Sequence, residues 1–413
     1  MRLHPFRALY PGPGRAADVV SPPYDVIDTA EARALAEGRP HSFLRVVRPE
    51  IDLPPGASIY SDEVYATGAA NLARLQSEGV LVRDGGRAIW VYRLDMGDHT
   101  QVGFVGCAEV QDYADGRIKK HEFTRQDKED DRTRHVDTLG AHTGPVFLTC
   151  HTPDGIEALQ ARLMEGEPAI DVTAHDGVQH RIWRIAEPDG LAAVATLLAS
   201  VDAFYIADGH HRAASAWRTR EIRRERQPDA GSDASFERFL TVLFPADQLQ
   251  ILPYNRILTD LNGRDSAGFL EDLEADFWVG PPGAEPTPPA RNGFGLYLDG
   301  VWRRLIVRAE IARSDDPVDR LDVALLQDRL LGPILGIDDP RTSARLGFVG
   351  GIRGTDELER RVDGARQTGC AIAMYPTSIT ELLAVADAGK VMPPKSTWFE
   401  PKLASGLLVN LID

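Results

Sequence analysis

Asp208, His210, His211 and Arg212 stand within five positions, in the stretch FYIADGHHRAASAW. A carboxylate, two imidazoles and a guanidinium are groups for acid–base work, metal ligation or phosphate binding. Their order narrows the choice. The apolar residues through Ala207 read as a buried strand. Asp208-Gly209 then makes a sharp turn, and a helix runs from Arg212 to about residue 225, with Ala213, Ala214 and Ala216 for close packing. A strand, a glycine turn and a helix start form an anion site, because the first helical amides lack intrahelical partners and the dipole is positive there. Gly209 lets the backbone approach, Arg212 can clamp phosphate with two nitrogens, and His210 or His211 can donate further hydrogen bonds. Asp208 stands at the lip as a base or a metal ligand. The plainer alternative makes Asp208 an N-cap and the histidines packing; four functional side chains behind one apolar strand weigh toward the anion site. Zinc is not expected. Adjacent histidines project about 100° apart on a helix, and HEFTR at His121 lacks the second histidine of HExxH.

Two other stretches carry chemistry. KKHEFT places Lys119, Lys120, His121 and Glu122 at an expected strand end. Alternation sends Lys120 and Glu122 to one face, where they can hold a substrate amine or a nucleotide phosphate; a charged strand end in solvent is the alternative. PPKSTWFEPK gathers Lys395, Ser396, Thr397, two aromatics and Glu400 in a loop suited to lining a pocket, or to pinning a tail. Near the start, Pro22 and Pro23 stiffen the backbone that presents Tyr24 and Asp25. There is no Walker A pattern, no GxSxG elbow, and GPGRAA follows prolines rather than a strand.

These residues need elements to position them. Helices are expected over about 29–37 and 61–78, the second with Val64, Leu72 and Leu75 at helical spacing. Hairpins are expected around Asp84-Gly85-Gly86 and Asp115-Gly116. After the polar run TRQDKEDDRTRH a helix start is expected, then the strand GPVFLTC. Further strands are VQHRIWRIA, FERFLTVLFP and CAIAMYP, with a hairpin at Asp299-Gly300. Helices are expected in LAAVATLLAS, in VDRLDVALLQDRLLGPILGI ended by Gly332-Pro333, in TDELERRVDGARQTG stopped by Gly369, and in SITELLAVADAG with Ser378 as N-cap. VGPPGAEPTPPARNG reads as a surface loop. Helices and strands mix without strict βαβ alternation, so the fold class is α+β (mixed α/β).

At 413 residues the chain is multi-domain. The expected parts are 1–150, an α+β domain with hairpins; 151–250, which carries the DGHHR turn; and 251–413, a second α+β domain. With 46 basic and 62 acidic residues the net charge is −16, which argues against a nucleic-acid partner. Three scattered cysteines make no disulfide framework or thiolate zinc site and fit a reducing cytoplasm. No apolar run suits a signal peptide or a transmembrane helix, so a cytoplasmic protein with no membrane partner is expected.

PFRAL, PPYDV, HEFT, IADGHHR, ILPYNR, LDVALLQ, LGPILGI, YPTSITELLAVADAG and MPPKSTWFEPKLASGL occur in this order. Together they resemble the bacterial domain of unknown function 1015 (DUF1015) family over nearly the whole chain. Ala213 and Trp398 depart from that pattern, since members often carry Tyr at both. The DGHHR segment is also similar to the phosphate motif of the ParB/sulfiredoxin-like fold, which free L-serine kinases share. The resemblance implies a ParB/sulfiredoxin-like core over 151–250. It further implies phosphoryl transfer from ATP or ADP, with Mg²⁺, to the hydroxyl of free L-serine, giving O-phospho-L-serine. Gly209, His210, His211, Arg212 and Lys120 would then hold the nucleotide, and Asp208 the metal. Asp208, Asp25 or Glu122 would take the hydroxyl proton; Lys395, Ser396, Thr397 and Tyr24 would hold the substrate. The partners implied are a nucleotide and a small molecule, with a homodimer as a further expectation. The rivals are a kinase for another hydroxylated metabolite, a nucleotide-binding ParB-like regulatory module, and an ATP-dependent reductase of oxidised cysteine, which needs a reactive thiol near the turn.

Overall fold

The computed structural model describes residues 1–365 and 369–412. The fold is mixed α+β, with several sheets. Two compact units divide the chain: one holds 1–249 and 401–413, the other 250–400. In the first unit an eight-stranded sheet runs in the order Ile118–Lys119, Phe204–Asp208, Val146–Cys150, Arg238–Pro245, His99–Glu109, Ile89–Met96, Gln179–Ile185, Ile170–Thr173. Strands from both sides of the 150/151 line expected from the sequence share this sheet. A smaller sheet joins Ala8–Pro11, Leu81–Arg83, Ala141–His142 and Val409–Leu411.

The Phe204–Asp208 strand is central to the site. Phe204, Tyr205, Ile206 and Ala207 are all buried, as the apolar run predicts. Burying side chains such as Phe204 and Ile206 stabilises the fold by about 1.5–3 kcal/mol each. The strand pairs in parallel with Ile118–Lys119 and antiparallel with Val146–Cys150. The helix His210–Arg226 follows, burying Ala213, Ala214 and Ala216. Arg223, Arg224 and Arg226 fill its last turn, where cations suit the dipole. Arg223 and Arg226 pair with Asp137, and Arg220 and Arg224 with Glu237.

Several expectations need correction. The 84–86 turn is no hairpin: Leu81–Arg83 pairs with Ala8–Pro11, while Ile89–Met96 enters the large sheet. Asp84 instead binds Arg184 at 2.6 and 2.9 Å and accepts from the Gly86 amide. The second hairpin is absent too. Val110–Ala114 forms a short helix that buries Val110 and Tyr113, and Gly116 (φ 75°) turns the chain into Ile118–Lys119. That strand stops at Lys119, so no strand alternation orders Lys120 and Glu122. The polar run is itself helix, Gln126–Leu139, with no helix start after it. Its charges are matched from the neighbouring helix, where Arg218 meets Glu129 and Asp130.

The second unit holds a six-stranded antiparallel sheet in the order Phe277–Val279, Val301–Val307, Gly293–Leu298, Cys370–Met374, Tyr254–Leu258, Leu346–Gly350. The expected turn at Asp299-Gly300 is present. Ser378 caps Ile379–Asp387 in a capping box with Glu381. The helix Asp322–Leu326 widens into a π turn, Gln327–Leu331, before Gly332. Asp356–Asp363 is helical; positions 366–368 of that expected helix lie outside the described residues. Among the described residues no helix is long and apolar enough to cross a membrane.

Candidate functional site

The parallel pairing of Phe204–Asp208 with Ile118–Lys119 explains what converges. Phe204 is level with Ile118 and Tyr205 with Lys119, so residues 120–122 leave the sheet beside 206–208. Carboxyl ends of neighbouring parallel strands are where open sheets place ligand sites. A register shift after Ile206 loosens the other edge of the strand just before Asp208.

Gly209 is left-handed (φ 92°, ψ 32°), which favours glycine. A Cβ there would stand 3.1 Å from Arg212 Nε. The first intrahelical bond runs from Arg212 N–H to the Gly209 carbonyl at 2.9 Å, so the His210 and His211 amides precede the ladder. Arg212 donates through Nη1 to the Pro145 carbonyl and sets Nη2 3.8 Å from Asp25 Oδ2. Its Nε is buried without a hydrogen-bond partner. Burial disfavours the charged guanidinium, yet Asp25 and Asp208 outweigh it and hold Arg212 ionised.

Asp208 is half-buried. Oδ1 accepts from the Gly209 amide at 2.8 Å, and Oδ2 accepts from Lys402 Nζ at 3.3 Å. Burial pushes its carboxyl up, but Lys402 and Arg212 prevail and hold it well below the usual carboxylate range. A cation bound to Asp208 as the sequence predicts would compete with Lys402 for Oδ2. Lys402 is the residue that sequence reasoning passed over; its signal was its place in PPKSTWFEPKL, beside the residues chosen there.

Both histidines accept through Nε2 from the 121–125 loop: His210 from the His121 amide at 3.4 Å, His211 from the Arg125 amide at 3.1 Å. Burial keeps both neutral. Glu122 brings Oε2 to 3.8 Å from His210 Nδ1. Lys120 lies over the Tyr113 ring, 3.9 Å from its centroid, and burial lowers its ammonium. Tyr24 stacks under Arg132 at 4.2 Å, and burial, then Asp25, push its hydroxyl up to about 12. Tyr24, Arg132, His142 and Arg212 line a cavity of about 30 Å³, enough for a water or two.

The first unit thus brings together Asp25, Glu122, Asp208, Gly209, His210, His211 and Arg212, with Tyr24 lining a cavity beside Arg212 and Lys120 one residue past the adjoining strand. Lys395, Ser396 and Thr397 belong to the second unit. There the Lys395 carbonyl accepts from Arg256, and the Ser396 carbonyl accepts from Thr377 at 3.0 Å. Lys395 Nζ lies 5.4 Å from the Tyr254 ring centroid. No thiol serves the turn: Cys107, Cys150 and Cys370 are buried and unpaired, and burial pushes Cys150 and Cys370 up to about 12 and Cys107 higher. Protonated, buried thiols are inert, which weighs against the reductase.

Among solved structures the chain resembles a free serine kinase in complex with AMP, at TM-score 0.33 and 14% identity, over 73% of this chain and 92% of that one. SbnI with a C-terminal truncation, from Staphylococcus aureus, gives TM-score 0.37 and 12% identity over 74% and 87%. A conserved hypothetical protein from Pyrococcus furiosus gives 0.34 and 14% over 73% and 95%. At TM-scores this low these likenesses carry no functional weight. Comparison with curated proteins gives no match. The family model described as "Protein of unknown function (DUF1015)" matches residues 3–324, a span that includes the DGHHR turn, and the chain belongs to that family.

Proposed function

We propose that the protein is a small-molecule kinase that transfers a phosphoryl group from ATP or ADP to the hydroxyl of free L-serine, giving O-phospho-L-serine. One observation carries the phosphate part: the unpartnered Nε of Arg212 stands beside a left-handed glycine at a helix start. A buried donor without a partner is costly, and an anionic oxygen satisfies it. The choice of L-serine rests on the likeness of the DGHHR segment to the phosphate motif that free L-serine kinases share.

Phosphoryl transfer needs positioned charge more than covalent chemistry from the protein. The His210 and His211 amides and Arg212 hold the phosphates. Asp25 stands across Arg212 on its proline-stiffened loop, where it can accept the serine hydroxyl proton. The serine oxygen bonds to the terminal phosphorus as the bond to the nucleotide oxygen breaks; the proton passes to the Asp25 carboxylate, and the nucleotide leaves one phosphate shorter. Asp208, kept ionised by Lys402, is a weak base and serves to fix the cations around the turn. Glu122, 3.8 Å from His210 Nδ1, is the other carboxylate beside the turn that could take this proton. Mg²⁺, where present, would neutralise phosphate charge.

The test is incubation of the purified protein with Mg²⁺, ATP or ADP, and a panel of free hydroxy amino acids, followed by phosphorus NMR. Phosphoserine formed only with L-serine supports the proposal. Another phosphorylated product moves the assignment to a different hydroxylated metabolite. Nucleotide turnover with no phosphorylated acceptor favours a regulatory module.

A further inference from the structure

His121 and His210 are 2% and 4% exposed. Their rings meet edge to face, with centroids 4.5 Å apart at 87°. One donor atom from each of His121, Glu122 and His210 lies within 4.8 Å of the other two. His121 Nδ1 is buried and has no hydrogen-bond partner. Such an atom is costly inside a protein unless something occupies it.

The chemistry of the three donors is selective. A neutral imidazole offers one ring-nitrogen lone pair to a metal, and His121 Nδ1 has no protein partner to give up. Two neutral imidazoles and a carboxylate suit zinc-like divalent ions; Mg²⁺ prefers oxygen ligands. The sequence spoke against zinc because His210 and His211 point apart on their helix. His210's partner is instead His121, 89 positions away and delivered by the parallel strand.

We propose that His121, Glu122 and His210 bind a divalent transition metal of the zinc type beside the phosphate turn. Bonds of about 2.0–2.2 Å to a common ion place the donors roughly 3.4 Å apart. Side-chain rotation closes the remaining gap. At His210 the ion takes Nδ1, the atom facing Glu122. The ring proton then moves to Nε2, which gives up the long 3.4 Å contact from the His121 amide. Three protein ligands leave a coordination position open. Binding does not depend on the kinase assignment and is tested without nucleotide.

The full chain, stripped by a chelator, is titrated with Co²⁺ alone and then with Zn²⁺ in competition. Visible d–d bands saturating at about one ion per chain and displaced by Zn²⁺ are expected. His121→Asn and His210→Asn abolish the bands while unfolding as cooperatively as the native chain, and exposed His175→Ala leaves them unchanged. Absence of bands in the native chain, or bands that persist in either asparagine variant, overturns the proposal. Should a variant fail to fold, proton NMR of the Co²⁺-loaded native chain decides: hyperfine-shifted signals from two histidine rings support the site, and their absence overturns it.

Discussion

Asp208 is held by a lysine 194 positions later in the chain, and that pairing governs how the turn responds to pH. Its folded pKa lies below the unfolded value, so the pair's stabilisation is full above about pH 4 and is lost as pH falls through the folded value. Lys402→Met should bring the Asp208 carboxyl back toward the ordinary range, read from its carbon-13 titration. The variant should also lose less stability between about pH 4 and pH 2 than the native chain, because less of the acid-labile pair remains to be lost. Arg212→Ala should weaken nucleotide binding about 10- to 100-fold, the range for a hydrogen bond to a charged group; calorimetric titration with ADP checks it. Asp25→Asn should lower turnover far more than it changes ADP affinity, and equal losses in both would remove Asp25 as the base. The residues at the turn were legible because they are consecutive and chemically unusual. The pairings of Lys402 with Asp208 and of His121 with His210 were not, because they exist only once distant segments meet.

At the scale of elements, the site depends on a strand that ends, a glycine that bends and a helix that begins. Gly209→Ala places a side chain in the left-handed region and against Arg212, so a loss of about 1–3 kcal/mol in stability is expected, with weakened phosphate binding. Thermal unfolding and ADP titration read the two effects separately. This junction was legible because an apolar run, Asp-Gly and a small-residue helix agree with one another. The hairpins around Asp84 and Asp115 were misread for a single reason. Turn residues announce that the chain changes direction, but not which strand the next one pairs with. The helix Gln126–Leu139 was expected to start only after its charged run, because that run has no apolar residues at helical spacing; partners of its charges, such as Arg218, lie on another helix.

Over the whole molecule, the chain leaves the first unit at Leu249 and returns at Pro401. Gln250 pairs with Glu400 as the second unit opens and closes, so departure and return are neighbours, about 5 Å apart between Cα atoms. Replacing 250–400 with a short glycine linker should therefore leave a cooperatively folding first unit. Removing 401–413 as well should abolish it, because Val409–Leu411 joins the small sheet and Lys402 holds Asp208. Calorimetric scans of both truncations check this. No count of length or composition reveals such an interruption, since the closing segment is only a tail in sequence. The three sealed cysteines then acquire a use. Cys107 and Cys150 lie in one unit and Cys370 in the other, none reachable by an alkylating reagent while its strand is in place. Their labelling rates, resolved by mass spectrometry, time the breathing of each unit independently, with no probe added to the protein.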